Sequence, residues 1–279
     1  MTQHPSASPR ISVLLLGVTW LEVAVLLVAG GGLLIALPAV VAIWPWPLTP
    51  FNLRFLGALY SAALLAAFVQ ARVGRWAPAR TVTLMIFVFT LVVTVCSFMH
   101  LDRFDFGKAQ VWIWFLLYVG VCLNAGLHLW LYRRLPLAGQ PPRSRTVLLV
   151  CAGILGVYGL ALLLVPDLAA RLWPWKIDRF HAQLYSVSFL TPAAGALSLR
   201  RCAARIDWFT LGVTLLAWGL LPMLALVVVD AQVHRVDWSE TAVWAWLSLL
   251  GLLVGMGTWM LRTATTIGTT TARDHSASA

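Results

Sequence analysis

Glu22 is a carboxylate placed where water is scarce. It lies eleven residues beyond Ile11, inside an apolar run that reaches Leu37. In an α-helix that is roughly 16 Å of travel at about 1.5 Å per residue, near the middle of a bilayer. A carboxylate at that depth is costly, so it must face other helices and be protonated, paired or hydrated. Those are the demands of a proton carrier, of a site for a cationic group, or of a neutral acid with a structural role. Asn124 and His128 sit one helical turn apart in another apolar run and can hydrogen-bond to a neighbouring helix. Glu22, Asn124 and His128 are therefore the candidate ligand or proton site.

A second set of charged side chains lies between the apolar runs. Arg103-Phe104-Asp105 and Arg235-Val236-Asp237 are matched Arg-x-Asp motifs. Residues two apart do not face each other on a helix. The expected pairs are crosswise, Arg103 with Asp237 and Arg235 with Asp105, or with Arg54. Such a layer would be a clamp on the loops or a polar gate over a ligand. His100, His181 and His234 share this zone with seven of the ten acids, which is enough ligand chemistry for a metal. No HxxxH or HxxE spacing joins them, and no metal is expected. One membrane His does not supply haem axial ligation, and no other cofactor is expected. Cys96, Cys122, Cys151 and Cys202 show no paired spacing, so neither a disulfide framework nor a zinc site is expected. P-loop, HExxH, GxSxG and dinucleotide-binding glycine patterns are absent. The balance leans away from an enzyme, with an intramembrane enzyme built on scattered acids as the alternative.

The elements that position these groups come in two copies. Trp44-Pro45-Trp46 returns as Trp173-Pro174-Trp175, offset by 129 residues. Arg103-Phe104-Asp105-Phe106 leads to Trp112 and Trp114, and Arg235-Val236-Asp237-Trp238 leads to Trp244 and Trp246, offset by 132. Two landmarks at nearly one spacing indicate an internal duplication. Pro38 and Pro166 precede the Trp-Pro-Trp loops and prevent the helix from continuing. Trp44, Trp46, Trp173 and Trp175 are then either an interfacial aromatic belt or the lining of a cavity between the repeats. Trp112 and Trp114 are about 200° apart round a helix, as are Trp244 and Trp246, so one ring of each pair can face lipid and the other the bundle.

Hydrophobic residues make up 61% of the chain and charged residues 11%. A soluble domain carries about 25% charged residues, so the expected class is an all-α integral membrane protein. Eight segments are long enough to span a bilayer: 11–36, 53–71, 81–100, 111–132, 146–165, 181–199, 208–229 and 241–261. They form two parallel four-helix tandem repeats, residues 11–132 and 146–262, joined by a linker at 133–145. Residues 1–10 and 263–279 are expected to be disordered termini. Four is even, so both repeats enter from one side and are related by an axis along the membrane normal. One set of connections holds thirteen cations and the opposite set seven. The positive-inside rule then puts both termini and the linker in the cytoplasm, and the Trp-Pro-Trp and Arg-x-Asp segments outside. The net charge of +10 follows this topology and implies no nucleic-acid partner.

Residues 44–57, WPWPLTPFNLRFLG, resemble uncharacterised bacterial multi-pass membrane proteins with the pattern W-P-W-x-L-T-P-x-x-x-R-x-x-G. The matching positions are Trp44, Pro45, Trp46, Leu48, Thr49, Pro50, Arg54 and Gly57. In the second copy Asp178, Arg179, Gln183 and Ser186 replace Thr, Pro, Arg and Gly. The resemblance implies a bacterial inner-membrane setting and no activity. Three function classes follow from the residues: a small-ligand or proton-coupled transporter with its site between the repeats, a non-catalytic membrane subunit or lipid-binding protein, and a membrane enzyme. The corresponding partners are membrane lipids, a small-molecule ligand and other membrane subunits.

Overall fold

The computed structural model describes residues 8–142 and 144–276, with the backbone alone for 268–276. Among these residues the chain is all-helical, apart from two isolated bridges. Seven helices are long and apolar enough to cross a membrane. They are α1 (Val13–Leu34), α3 (Pro50–Val73), α4 (Trp76–Met99), α5 (Ala109–Leu131), α6 (Arg145–Leu164), α10 (Arg205–Val233) and α11 (Thr241–Ser276). This is the build of a multi-pass membrane protein, since a bilayer tolerates backbone only where its polar groups are paired internally. The segment expected at 181–199 is present as two consecutive helices, α8 (Arg179–Tyr185) and α9 (Val187–Leu199). The hydrogen-bond ladder is interrupted at Ser186, although φ −53° and ψ −28° there are helical.

Local chemistry sets the helix starts. The Ser12 hydroxyl accepts from Leu15 N at the head of α1, Thr49 from Asn52 N at α3, and the Asp178 carboxylate from His181 N at α8. Each cap satisfies one of the amides that a helix start leaves free. Pro38 and Pro166 open two short helices, α2 (Pro38–Ala42) and α7 (Pro166–Ala169), at the position where proline's missing N–H costs nothing. These turn the chain back over the bundle and deliver each Trp-Pro-Trp segment to the next long helix.

Side-chain volume decides how closely the helices approach. A Cβ at Gly30 would come within 2.8 Å of Ser61 N, and one at Gly57 would meet the Leu33 and Leu34 backbone. Glycine at these two points lets α1 and α3 cross nearly backbone to backbone. The three glycines Gly30–Gly32 leave α1 continuous; Gly30 faces α3 and Gly32 faces Val40 of α2, while Gly31 meets nothing. Arg54 stands one turn before Gly57, and its guanidinium donates to the Leu34 carbonyl at the end of α1. At the matching point Gln183 Nε2 donates to the Leu163 carbonyl near the end of α6, at 3.0 Å.

At the opposite end of the bundle, the segment expected to be disordered at 1–10 is held from Ser8 onward. Trp76 N donates to the Pro9 carbonyl (2.8 Å) and Arg75 Nη1 to the Ser8 carbonyl (2.8 Å). The cause is edge pairing between Arg10 and Arg75. Gln140 and Ala203 exchange the same kind of bonds (3.2 and 3.0 Å), which ties down the linker. At the other terminus α11 runs past Arg262 to Ser276, with no proline to stop it. Residues 1–7 and 277–279, and Arg143 in the linker, lie outside the described residues.

Candidate functional site

The two Trp-Pro-Trp segments are buried lids. Trp46 meets Trp114 (4.8 Å between ring centroids), Phe104 (5.6 Å) and Phe180 (5.2 Å). Trp175 meets Trp246 (5.6 Å) and stacks on Phe51 (5.2 Å). Its indole N–H donates to Asn52 Oδ1 at 2.9 Å. Trp46 and Trp175 each pack against a phenylalanine at the start of the helix that follows the other Trp-Pro-Trp segment. The paired tryptophans divide as their spacing predicts: Trp112 is 60% exposed against 7% for Trp114, and Trp244 is 56% exposed against 0% for Trp246. Trp112 and Trp244 turn their N–H back to the carbonyls of Phe106 (3.0 Å) and Trp238 (2.9 Å). The tryptophans exposed at this end are Trp112, Trp238 and Trp244. Trp44, Trp46, Trp173 and Trp175 belong to the interior.

The crosswise Arg-x-Asp pairs do not form. Arg103 pairs with Asp178 (3.1 Å) and Asp102 (3.6 Å). Asp105 accepts from Gly107 N (3.1 Å) and pairs with Lys108 (3.4 Å). Asp237 accepts from Ser239 N (2.9 Å) and Ser239 Oγ (2.6 Å). Both aspartates are consumed by turns in their own loops, a local bond that short acidic side chains form readily. The Ser239 hydroxyl and amide hold the Asp237 carboxyl below its ordinary range. Arg235 has its backbone N bonded to Asp230 Oδ1 (2.9 Å). Arg54 is committed to α1, as described above.

Beneath Arg103, His181 Nδ1 donates to Asp178 Oδ1 at 2.7 Å. Burial raises the Asp178 carboxyl, but the two His181 bonds and the Arg103 charge outweigh it and leave it below the usual range. His181 Nε2 is buried with no hydrogen-bond partner. His100 is separately engaged, its Nε2 donating to Gln183 Oε1 at 2.6 Å. Among the described residues no three metal-ligating side chains come together.

A cavity of about 570 Å³ opens among α1, α3, α4 and α5. Aromatic rings form its inner wall: Trp44, Tyr60, Phe89, Trp114 and Tyr118, with Trp218 of α10 at the back. The space exists because Ala24, Ala29, Ala63, Ala66 and Ala67 line it and cannot fill it. Leu21, Val25 and Val28 of α1 and Ile113 of α5 also line it and are exposed, so it opens sideways between these two helices. Its walls carry three buried polar atoms without a hydrogen-bond partner: Glu22 Oε2, Trp44 Nε1 and Thr191 Oγ1. The Tyr60 and Tyr118 hydroxyls are bonded to each other at 2.7 Å.

Of the three polar residues expected at a ligand site, Glu22 alone lines this cavity. His128 is a tie at the end of the bundle opposite the lids. Its Nδ1 donates to the Asn124 carbonyl (2.8 Å) and its Nε2 accepts from Ser12 Oγ (2.7 Å), while Ser12 N donates to Tyr132 Oη (2.9 Å). The Asn124 side-chain oxygen is buried without a partner. The cavity is lined almost wholly by residues that precede the linker, with Thr191 and Trp218 as its only lining from beyond it. Between residues 11–132 and 146–262 the space is filled instead, by Phe89 against Trp218 (6.3 Å) and by the two Trp-Pro-Trp lids. Trp218 Nε1 donates to the Ser188 carbonyl at 3.0 Å, the carbonyl that Pro192 leaves free in α9. The sequence reading missed Tyr60, Phe89, Tyr118 and Trp218. The available signal was the alanine face of α3, where Ala63, Ala66 and Ala67 recur at helical spacing.

No family model, no curated protein and no solved structure matches this chain.

Proposed function

We propose that this protein is a carrier of small, largely apolar ligands in a bacterial inner membrane. It takes its ligand sideways from the bilayer into the cavity among α1, α3, α4 and α5, and exchanges a proton at Glu22. One observation carries the reading: three residues that line this largely apolar cavity, Glu22, Trp44 and Thr191, each hold a buried polar atom without a hydrogen-bond partner. A void left only by imperfect packing is apolar, and an unmet polar group costs about 1–3 kcal/mol. The volume falls within the roughly 300–1,000 Å³ of ligand sites, which are mostly apolar with a few placed polar groups.

The scaffold supports alternating access. We read residues 11–132 and 146–262 as two copies of one four-helix unit, with α8 and α9 together as the sixth of eight crossings. Arg54 on Leu34 repeats as Gln183 on Leu163. Trp46 on Phe180 repeats as Trp175 on Phe51. The Arg10–Arg75 bridge repeats as Gln140–Ala203. Phe89 and Trp218 are counterparts and touch each other, as residues on a two-fold axis do. The cation excess puts the termini and the linker in the cytoplasm. The sideways opening also favours a second reading, a lipid-binding subunit that moves nothing. Flux through reconstituted vesicles separates the two.

The binding step is tested by photolabelling. A neutral alkyl diazirine is added to the protein in bilayers, and the labelled residues are mapped. Label at the buried Tyr60, Met85 or Trp218 is the expected result. Label confined to outward-facing residues such as Leu27 and Leu116 would show that no ligand enters.

A further inference from the structure

We infer that the cavity selects a protonated aliphatic amine, an ammonium head on an alkyl chain, over neutral or anionic amphiphiles of the same length. The inference rests on the ligand-carrier reading above and names its substrate class. Charge sign is the first argument. Among the described residues no Lys, Arg or His lines the cavity, and Glu22 is its single carboxylate. A fatty acid would set a second carboxylate against Glu22 with no cation to separate them, and like charges in one site disfavour ionisation of both. An ammonium group gives the Glu22 carboxylate, whose Oε2 has no hydrogen-bond partner, a cation to pair with. Two opposite charges that would each be costly alone are then buried as a pair.

The walls supply the second argument. Trp44 lies 5.7 Å from Trp114, Trp114 4.2 Å from Tyr118, and Tyr118 6.4 Å from Phe89, so the rings form one continuous surface. Aromatic faces carry the negative side of their quadrupole and attract desolvated cations, which is why aromatic cages recognise ammonium groups. An alcohol gains nothing comparable. The chain end of the ligand fits the alanine and leucine lining, which offers dispersion contact alone. An alkylamine titrates near the lysine value of about 10.4 and is therefore charged at neutral pH, while its small neutral fraction can reach the sideways opening through lipid.

The test is competition against the neutral diazirine probe by dodecylamine, dodecanol and dodecanoate, on the wild-type protein and on Glu22→Gln. The expected result is that dodecylamine displaces the probe from the wild-type protein about ten- to hundredfold more effectively than dodecanol, the range of a charge-assisted bond. That advantage, taken as the ratio of amine to alcohol on the same protein, should disappear in Glu22→Gln. Circular dichroism and the unfolding midpoint of the variant show separately that it is folded. The wild-type comparison of amine with alcohol needs no variant. Equal competition by amine and alcohol, or an amine advantage that survives Glu22→Gln, overturns the amine assignment and leaves the cavity reading intact. No labelling of the inner wall at all overturns both.

Discussion

Gly31 on α1 and Gly57 on α3 provide a sharp test of how the two helices are held together. A methyl at Gly57 would meet the backbone of Leu33 and Leu34, which cannot rotate away. A methyl at Gly31 would meet nothing within 4 Å. Both positions are helical, so Gly→Ala brings each the same propensity gain, about 1 kcal/mol. The gain cancels when Gly57→Ala is compared with Gly31→Ala. What remains is the overpacking cost of separating two helices, about 1–3 kcal/mol. Since about 1.4 kcal/mol is tenfold in an equilibrium constant, the two variants should differ roughly five- to hundredfold in their unfolding equilibria. The assay is equilibrium unfolding in mixed micelles with the denaturant slope unchanged between variants. Gly31→Ala should match or exceed the wild type, and Gly57→Ala should fall below it. If the two are equally stable within about 0.3 kcal/mol, the close crossing is wrong. A Gly57→Ala chain that unfolds with a different slope would instead report a changed native state.

Three further outcomes are expected. Asn52→Leu strands the buried Trp175 N–H and should cost about 1–3 kcal/mol; adding Trp175→Phe should recover part of it, and a simple sum of the two losses would contradict the bond. Asp178 sits below its ordinary carboxylate range when folded, so its stabilising contribution is present above the unfolded value and is lost as pH falls through the folded one. Stability against thermal unfolding should therefore fall below about pH 4, and Asp178→Asn should flatten that slope; an unchanged slope would remove Asp178 from the account. Single cysteines at Asp105 and Asp237 should be labelled from outside the cell and those at Arg75 and Arg201 from inside, and reversal at any two of the four would invert the topology.

The long apolar runs were legible because a bilayer imposes length and polarity on each segment separately. The fates of Trp112 and Trp114 were legible for a similar reason, since helical geometry alone divides the rings. The Arg-x-Asp motifs misled because matched spacing says nothing of competing local bonds. Asp105 and Asp237 each found an amide two residues away before any distant arginine. Gln183 looked like a departure from Arg54, yet both side chains reach a carbonyl at the same place. The broken ladder at Ser186 falls where the first copy has Gly57, a difference whose meaning depends on the facing helix. The cavity itself has no linear signature. It is the sum of missing side-chain volume on α1 and α3 and large rings on α3, α4, α5 and α10, and only the assembled bundle brings them together.

The exchanged lids also impose an order on synthesis. Trp46 leaves the ribosome 134 residues ahead of Phe180, which at about 5–20 residues per second is on the order of ten seconds. Through that interval the first lid has a seat with one side missing. Trp175 emerges to find Phe51, Phe55 and Asn52 already in the membrane. The second half therefore lands on a prepared surface and in landing completes the first. A nascent chain stalled inside the linker would carry an indole cluster that lacks the Phe180 wall, a state the finished protein never displays.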